Sequence, residues 1–337
     1  MTLGPLMLGI EGLTLLGEEQ ERLQRPEVGG VLLFSRNYQT SRQLQALTAE
    51  IKGLRRPPLL IAVDQEGGPV QRFREGFTPL PSARQLVGAH REAPALGLKA
   101  AESAGWLMAA ELRAHGIDFS FAPVLDVDRG LSRVIGERAF GGDPEVIARM
   151  ALAWQRGARQ AGMICVGKHF PGHGGTAPDS HHEAAIDGRA VADLIHADLL
   201  PFRRLMDNGL AAIMMSHVIY PSLDSQPAGF STRWIQYLRR ELGFQGAVFT
   251  DDLGMAAAES AGALPQRVEA ALQAGCDMAV LGNAGRGADA VLGRQPSTPA
   301  EGALRRARLH ARGQAPDIED LQAQPAYQAA RTLLAGL

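Results

Sequence analysis

The sequence predicts an α/β protein whose parallel strands close into a (β/α)8 TIM barrel, some of them irregular. Three observations carry that prediction. Eight short apolar runs recur along the 337 residues, amphipathic segments separate them, and most of the runs end in polar, ionisable or glycine residues. Runs that are apolar on both faces belong to strands buried in a parallel sheet covered by helices. Their alternation with helices points to a parallel α/β fold, and eight of them suit a barrel. Periodicity does not count closure, so an open doubly wound sheet is the competing architecture.

In chain order, the first run is PLMLGIEG (5–12). No basic segment precedes it and Glu11 interrupts it early, so it reads as a strand and not as a secretory leader. GGVLLFSRN (29–37) is the second strand, and TSRQLQALTAEIKGLRR (40–56) is the helix after it. PLLIAVDQEGG (58–68) and IDFSFAPVLDVD (117–128) are the third and fourth, each followed by a segment longer than a simple turn. PEVIARMALAWQRGARQAG (144–162) is a helix that stops at glycine. MICVGKHFPGH (163–173), AAIMMSH (211–217), GAVFTDD (246–252) and DMAVLGN (277–283) complete the eight, with helices predicted at 193–209 and 233–243. Residues 283–337 read as a last loop followed by C-terminal helices. With no linker, repeat or low-complexity block, 1–337 reads as a single catalytic barrel domain.

Composition narrows the partners. The formal net charge of −2 gives no electrostatic reason to expect nucleic acid or a membrane surface. No apolar stretch approaches the ~20 residues of a transmembrane helix. Cys165 and Cys276 lie far apart in apolar runs, which reads as buried reduced thiols in a reducing, cytoplasmic compartment. A monomer suffices for this composition.

The strand ends of a barrel converge on the face that holds the active site. Here they carry Asp64 and Gln65, Asp126 and Asp128, Lys168 and His169, His217, then Asp251 and Asp252. A barrel built for stability alone needs no such charge. Each residue taken singly could be a cap or a salt-bridge partner, and adjacent Asp251 and Asp252 should point to different sides, without the pattern saying which faces inward.

The stretch GKHFPGHGGTAPDSHHE (167–183) holds four of the nine histidines. Pro171 and Gly172 between His169 and His173 exclude the helical spacing of a zinc site, and Lys168 would repel a cation. The expectation is therefore no metal and no cofactor. Lys168 and His169 suit hydroxyl groups at a strand end. Asp179 and His181, two apart, form a carboxylate–imidazole pair suited to proton transfer near neutral pH.

The set KHFPGHG…DSH, VDQEGGPVQR, VIGERAFG and FTDDLGM resembles the family 3 glycoside hydrolases, over about residues 5 to 285. Within them it is similar to the bacterial β-N-acetylhexosaminidases of peptidoglycan recycling. The resemblance implies Asp251 as nucleophile, His181 as proton donor and acceptor, and Asp179 as its partner. It implies Asp64, Arg72, Arg138, Lys168 and His169 as sugar-binding residues. It also implies a retaining exo-β-N-acetylglucosaminidase that acts on a small carbohydrate, a muropeptide, without cofactor. Retaining hydrolysis needs one attacking carboxylate and one group that first donates and then accepts a proton, which Asp251 and His181 can supply. Rival readings are a glycoside phosphorylase on the same scaffold, a metal-dependent hydrolase, and a sugar-binding barrel without catalysis. Rate dependence on phosphate, inactivation by chelation, and binding without product release separate them.

Overall fold

The computed structural model describes residues 2–177, 185–283, 285–294 and 300–337. Eight parallel strands form a closed barrel: β1 (Leu6–Gly9), β2 (Val28–Leu33), β3 (Leu60–Val63), β4 (Phe119–Ser120), β5 (Ile164–Phe170), β6 (Ala212–Met215), β7 (Ala247–Asp252) and β8 (Met278–Leu281). β1 pairs with both β2 and β8, which closes the ring and excludes an open sheet. Seven of the eight apolar runs contain one of these strands entirely, and β2 starts one residue ahead of its run, at Val28. The runs are longer than the strands, most plainly at β4. Pro123 supplies no N–H there, and the chain continues beside β5 only through an isolated bridge between Val124 and Lys168.

Packing explains the closure. All of β2, β3 and β5 is buried, as are the first four residues of β7. Phe119, Phe121 and Phe249 fill the interior, with ring centroids 5.2 to 5.7 Å apart. Cys165 and Cys276 are both free and buried.

Helices wrap the barrel with legible boundaries. Pro144–Gln160 opens with proline, and the Asp143 side chain accepts from the Glu145 N–H at 2.9 Å. Ser82 and Gln85 cap Ala83–Glu92 reciprocally. The helix predicted at 193–209 is interrupted by a wider π turn, Leu194–Asp198, and the one predicted at 233–243 ends in one, Tyr237–Glu241. After β8 come Ala300–Ala307, Ile318–Ala323 and Pro325–Ala335. The last of these returns to the long helix Pro94–Ala114, where the Tyr327 hydroxyl donates to the buried Glu111 carboxylate at 2.6 Å. Among the described residues no helix is long and apolar enough to cross a membrane.

Among the described residues the barrel ladders show three irregularities. One, between Lys168 and Phe170 where β5 pairs with β6, coincides with the polar end of a strand. A second lies between Phe249 and Asp252, where β7 pairs with β8. Both are at the carboxyl ends of their strands, where an extra residue re-aims side chains.

Candidate active site

A cavity of about 850 Å³ opens at the carboxyl ends of the strands. That is within the ~300–1,000 Å³ range of small-molecule sites. Asp64, Arg72, Arg138, Lys168, His169 and Asp251 all line it.

The segment after β3 shows how the sequence assembles the first part. Gln65–Gly67 and Val70–Gln71 pair as a tight hairpin. The buried Gln65 amide oxygen accepts from the Arg72 and Phe73 N–H groups at 2.8 and 3.1 Å, which fixes where Arg72 leaves the hairpin. Arg72 then lies 3.7 Å from Asp64. The Lys168 ammonium reaches in from β5 and donates to Asp64 at 2.7 Å and to Glu66 at 2.6 Å. Arg138 closes the group with two 2.8 Å hydrogen bonds to Glu66.

Glu66 is the node of this network. Burial alone would raise its carboxyl, but the Arg138 guanidinium and the Lys168 ammonium outweigh burial and hold it far below the usual carboxylate range. The same logic runs in reverse for Lys168: burial opposes its charge, and Asp64 and Glu66 more than restore it. A depressed carboxyl contributes stability that is fully present above its unfolded value of 4.5 and is lost as pH falls towards its folded value. Removing one partner of a buried ion pair typically costs ~3–5 kcal/mol. Glu66→Ala is expected to lower unfolding stability by about 3 kcal/mol at neutral pH, with the difference from wild type shrinking below about pH 4. Denaturant titration at pH 7 and pH 3 checks this, and a loss that does not depend on pH would show that packing, not charge, is what Glu66 provides.

Asp126 is the second node. It is completely buried, and its Oδ2 lies 2.7 Å from His169 Nδ1. Its Oδ1 accepts from the backbone N–H groups of His169 and His173 at 3.2 and 2.7 Å. His169 Nε2 is thereby left as the nitrogen available to the cavity. A Cβ at Gly174 would fall 1.7 Å from the Val127 carbonyl oxygen, so only glycine lets the loop after β5 pass this close to the loop after β4. The last glycine of the KHFPGHG stretch is in this respect a packing requirement.

The adjacent aspartates of β7 have separate environments. Asp252 turns into its own loop: Oδ1 accepts from Gly254 N–H at 2.9 Å and Oδ2 from Asn283 at 3.1 Å. Burial raises its carboxyl. Asp251, partly exposed, accepts the Asp252 N–H at 2.8 Å. Burial would raise the Asp251 carboxyl too, but the imidazoles of His169 and His217, the Asp252 N–H and Lys168 outweigh it and hold it below the ordinary range. His217 is buried and stacks on Phe230, and its Nε2 donates to the Asp252 carbonyl oxygen at 3.2 Å, bracing the backbone just after the two aspartates.

Six of the eight residues singled out in the sequence therefore share one cavity. The other two, Asp179 and His181, lie outside the described residues. The chain on either side of them is placed: Gly174 against Val127, and Ala185 paired with Val218 just beyond His217. Glu66 and Phe34, which also line the cavity, were not singled out. Glu66 lies inside the quoted VDQEGG stretch, one turn residue among others. Phe34 follows β2, and its ring takes the Arg36 guanidinium at 4.3 Å. Asp126 was noted at its strand end without a role. No three histidine, cysteine, aspartate or glutamate side chains group as metal ligands among the described residues.

Comparison with known proteins places this geometry. The model of the glycosyl hydrolase family 3 N-terminal domain matches residues 8–293. The chain is 56% identical over 313 residues to a beta-hexosaminidase of Alkalilimnicola ehrlichii, covering 93% of this chain and 90% of that one. It superposes with a TM-score of 0.95 on crystalline NagZ of Neisseria gonorrhoeae in complex with N-trifluoroacetyl-D-glucosamine, at 43% identity over 100% of this chain and 98% of that one. A crystal structure of the same Neisseria protein in complex with zinc ion superposes at 0.93, with 42% identity and the same coverage.

Proposed function

The chain belongs to glycosyl hydrolase family 3 and is a glycoside hydrolase of the β-hexosaminidase kind; from that premise we propose that it is a retaining exo-β-N-acetylglucosaminidase. Its substrate is a peptidoglycan-derived muropeptide with terminal N-acetylglucosamine on a 1,6-anhydro-N-acetylmuramic acid. The observation that carries the reading is Asp251, held ionised at the end of β7 in the same cavity as Lys168, His169 and Asp64.

In this reading the terminal sugar occupies the cavity floor. Asp64, Arg72, Arg138, Lys168 and His169 bind its hydroxyl and acetamide groups. Asp251 attacks the anomeric carbon as the bond to the leaving oxygen breaks, and His181 gives its proton to that oxygen. The product is a glycosyl ester on Asp251. His181, now neutral, takes a proton from water, whose oxygen attacks the anomeric carbon and frees the carboxylate. Asp179 orients His181. Lys168, Arg138 and Asp64 are already held in place by their ion pairs, so they need little reorganisation to bind the sugar.

Residues 1–337 act in this reading as one monomeric catalytic barrel in the cytoplasm, on fragments of recycled cell wall. No step requires a metal or cofactor. A panel of aryl β-glycosides with and without the 2-acetamido group tests the substrate. The expected result is a kcat/KM at least about 100-fold higher with the acetamido group, roughly the 2.7 kcal/mol that two polar contacts can supply. Equal rates on glucosides would overturn the assignment to N-acetylglucosamine.

A further inference from the structure

Arg133 lies on the loop between β4 and the helix Pro144–Gln160, is exposed, and lines the mouth of the cavity. The other cationic side chains lining the cavity already have carboxylate partners: Arg72 with Asp64, Arg138 with Glu66, and Lys168 with both. Two further arginines near this loop are also engaged, Arg84 by Asp128 and Arg129 by Asp198 at 2.8 Å. Among the described residues Arg133 makes no hydrogen bond and no ion pair.

Depth assigns this free guanidinium to one half of the substrate. The groups around Asp251 form the floor, with Lys168 only 2% and Arg138 12% exposed. A terminal sugar that reaches Asp251 fills that floor, so its leaving group must project to the mouth, where Arg133 stands. A guanidinium presents a planar fork of donors that matches a carboxylate. Glu137, four residues on, lines the same mouth, exposed and without an ion pair among the described residues. Its charge disfavours an anion on its own side and leaves the Arg133 side as the place for one.

We propose that Arg133 is a specificity-determining residue that binds a carboxylate carried by the leaving-group sugar. The proposal rests on the N-acetylglucosaminidase reading above; because a peptide on N-acetylmuramic acid is amide-linked through that same carboxyl, Arg133 would select for the peptide-free disaccharide over the muropeptide. A neutral leaving group leaves Arg133 in water at no cost, so the effect is a preference and not a requirement. For a partly exposed pair it should be about three- to tenfold.

The test uses the full chain and three substrates: β-1,4-linked N-acetylglucosaminyl-N-acetylmuramic acid, its carboxyl methyl ester, and an aryl β-N-acetylglucosaminide. Wild type is expected to favour the acid over the ester in kcat/KM, with the preference declining as salt screens the pair. Arg133→Gln should lose about three- to tenfold on the acid and stay within about twofold on the ester. Arg133→Lys, which keeps the charge without the fork, should retain part of the preference. Equal losses on acid and ester, or no preference in wild type, would overturn the role of Arg133. If the aryl substrate is also refused, the underlying N-acetylglucosaminidase reading fails and this inference with it.

Discussion

Asp251→Ala is expected to reduce kcat by at least about four orders of magnitude, the scale on which loss of a catalytic nucleophile acts. The expectation rests on three features together. The carboxylate stands at the end of β7 in the cavity, beside His169 and Lys168. It is held below the ordinary carboxylate range, so it is ionised and ready to attack at any pH above about 5. Among the described residues its carboxylate takes one hydrogen bond, from the Asp252 N–H, which leaves the second oxygen for the sugar. The fold should survive, because a partly exposed side chain with one short-range bond is lost. A mechanism-based 2-acetamido-5-fluoro glycoside should trap a covalent adduct, which peptide mass spectrometry would place on Asp251. The neighbour is the control. Asp252 spends both oxygens on Gly254 and Asn283, so Asp252→Asn should loosen the turn and lower kcat far less. An adduct on Asp252, or near-wild-type turnover by Asp251→Ala, would remove Asp251 from its role.

The depressed carboxyl also bears on pH dependence. A group ionised well below neutrality cannot produce an acid limb in kcat/KM above about pH 5. Any limb seen near neutrality must come from another group, and an imidazole has the appropriate intrinsic value.

The parts of this architecture that were legible in the sequence are those set by local pattern. Eight apolar runs marked eight strands, because burial on both faces of a parallel sheet leaves no room for polar alternation. Lys168, His169 and Asp251 were legible because charge at a buried strand end has few structural uses. Both aspartates of the pair line the cavity, and which of them keeps an oxygen open to it was not legible. That depends on β7 slipping register against β8 between Phe249 and Asp252, a tertiary feature no local periodicity records. The same holds for Glu66 and Asp126. Their roles come from partners 102 and 43 residues away, Lys168 and His169, and a carboxylate in a glycine turn or a strand end looks ordinary until the barrel closes. Closure itself was not countable from eight runs, and only the β1–β8 ladder excludes an open sheet.

The proton-transfer pair offers the sharpest remaining separation of roles. If His181 protonates the leaving oxygen, its loss should matter most where the leaving group is poor. General acid assistance is typically worth ~10²–10⁴-fold. For a sugar leaving group, an alcohol of high pKa, His181→Ala should therefore lower kcat by at least about 100-fold. A nitrophenolate departs without help, so formation of the glycosyl ester from a nitrophenyl glycoside should be nearly unaffected. Its hydrolysis, where the same imidazole acts as base, would become limiting. A burst of nitrophenolate followed by a slow steady state is then expected, with the ester on Asp251 accumulating. Asp179→Ala should show a milder form of this pattern, because the imidazole remains but loses the carboxylate that orients it. A neighbouring carboxylate favours the protonated imidazole. Removing it should move the alkaline limb of kcat/KM, which reports the protonated acid of the free enzyme, to lower pH. Equal losses on sugar and nitrophenyl substrates in His181→Ala, with no burst, would leave His181 as a binding residue and send the search for the proton donor to the Asp126–His169 pair, whose Nε2 already faces the cavity.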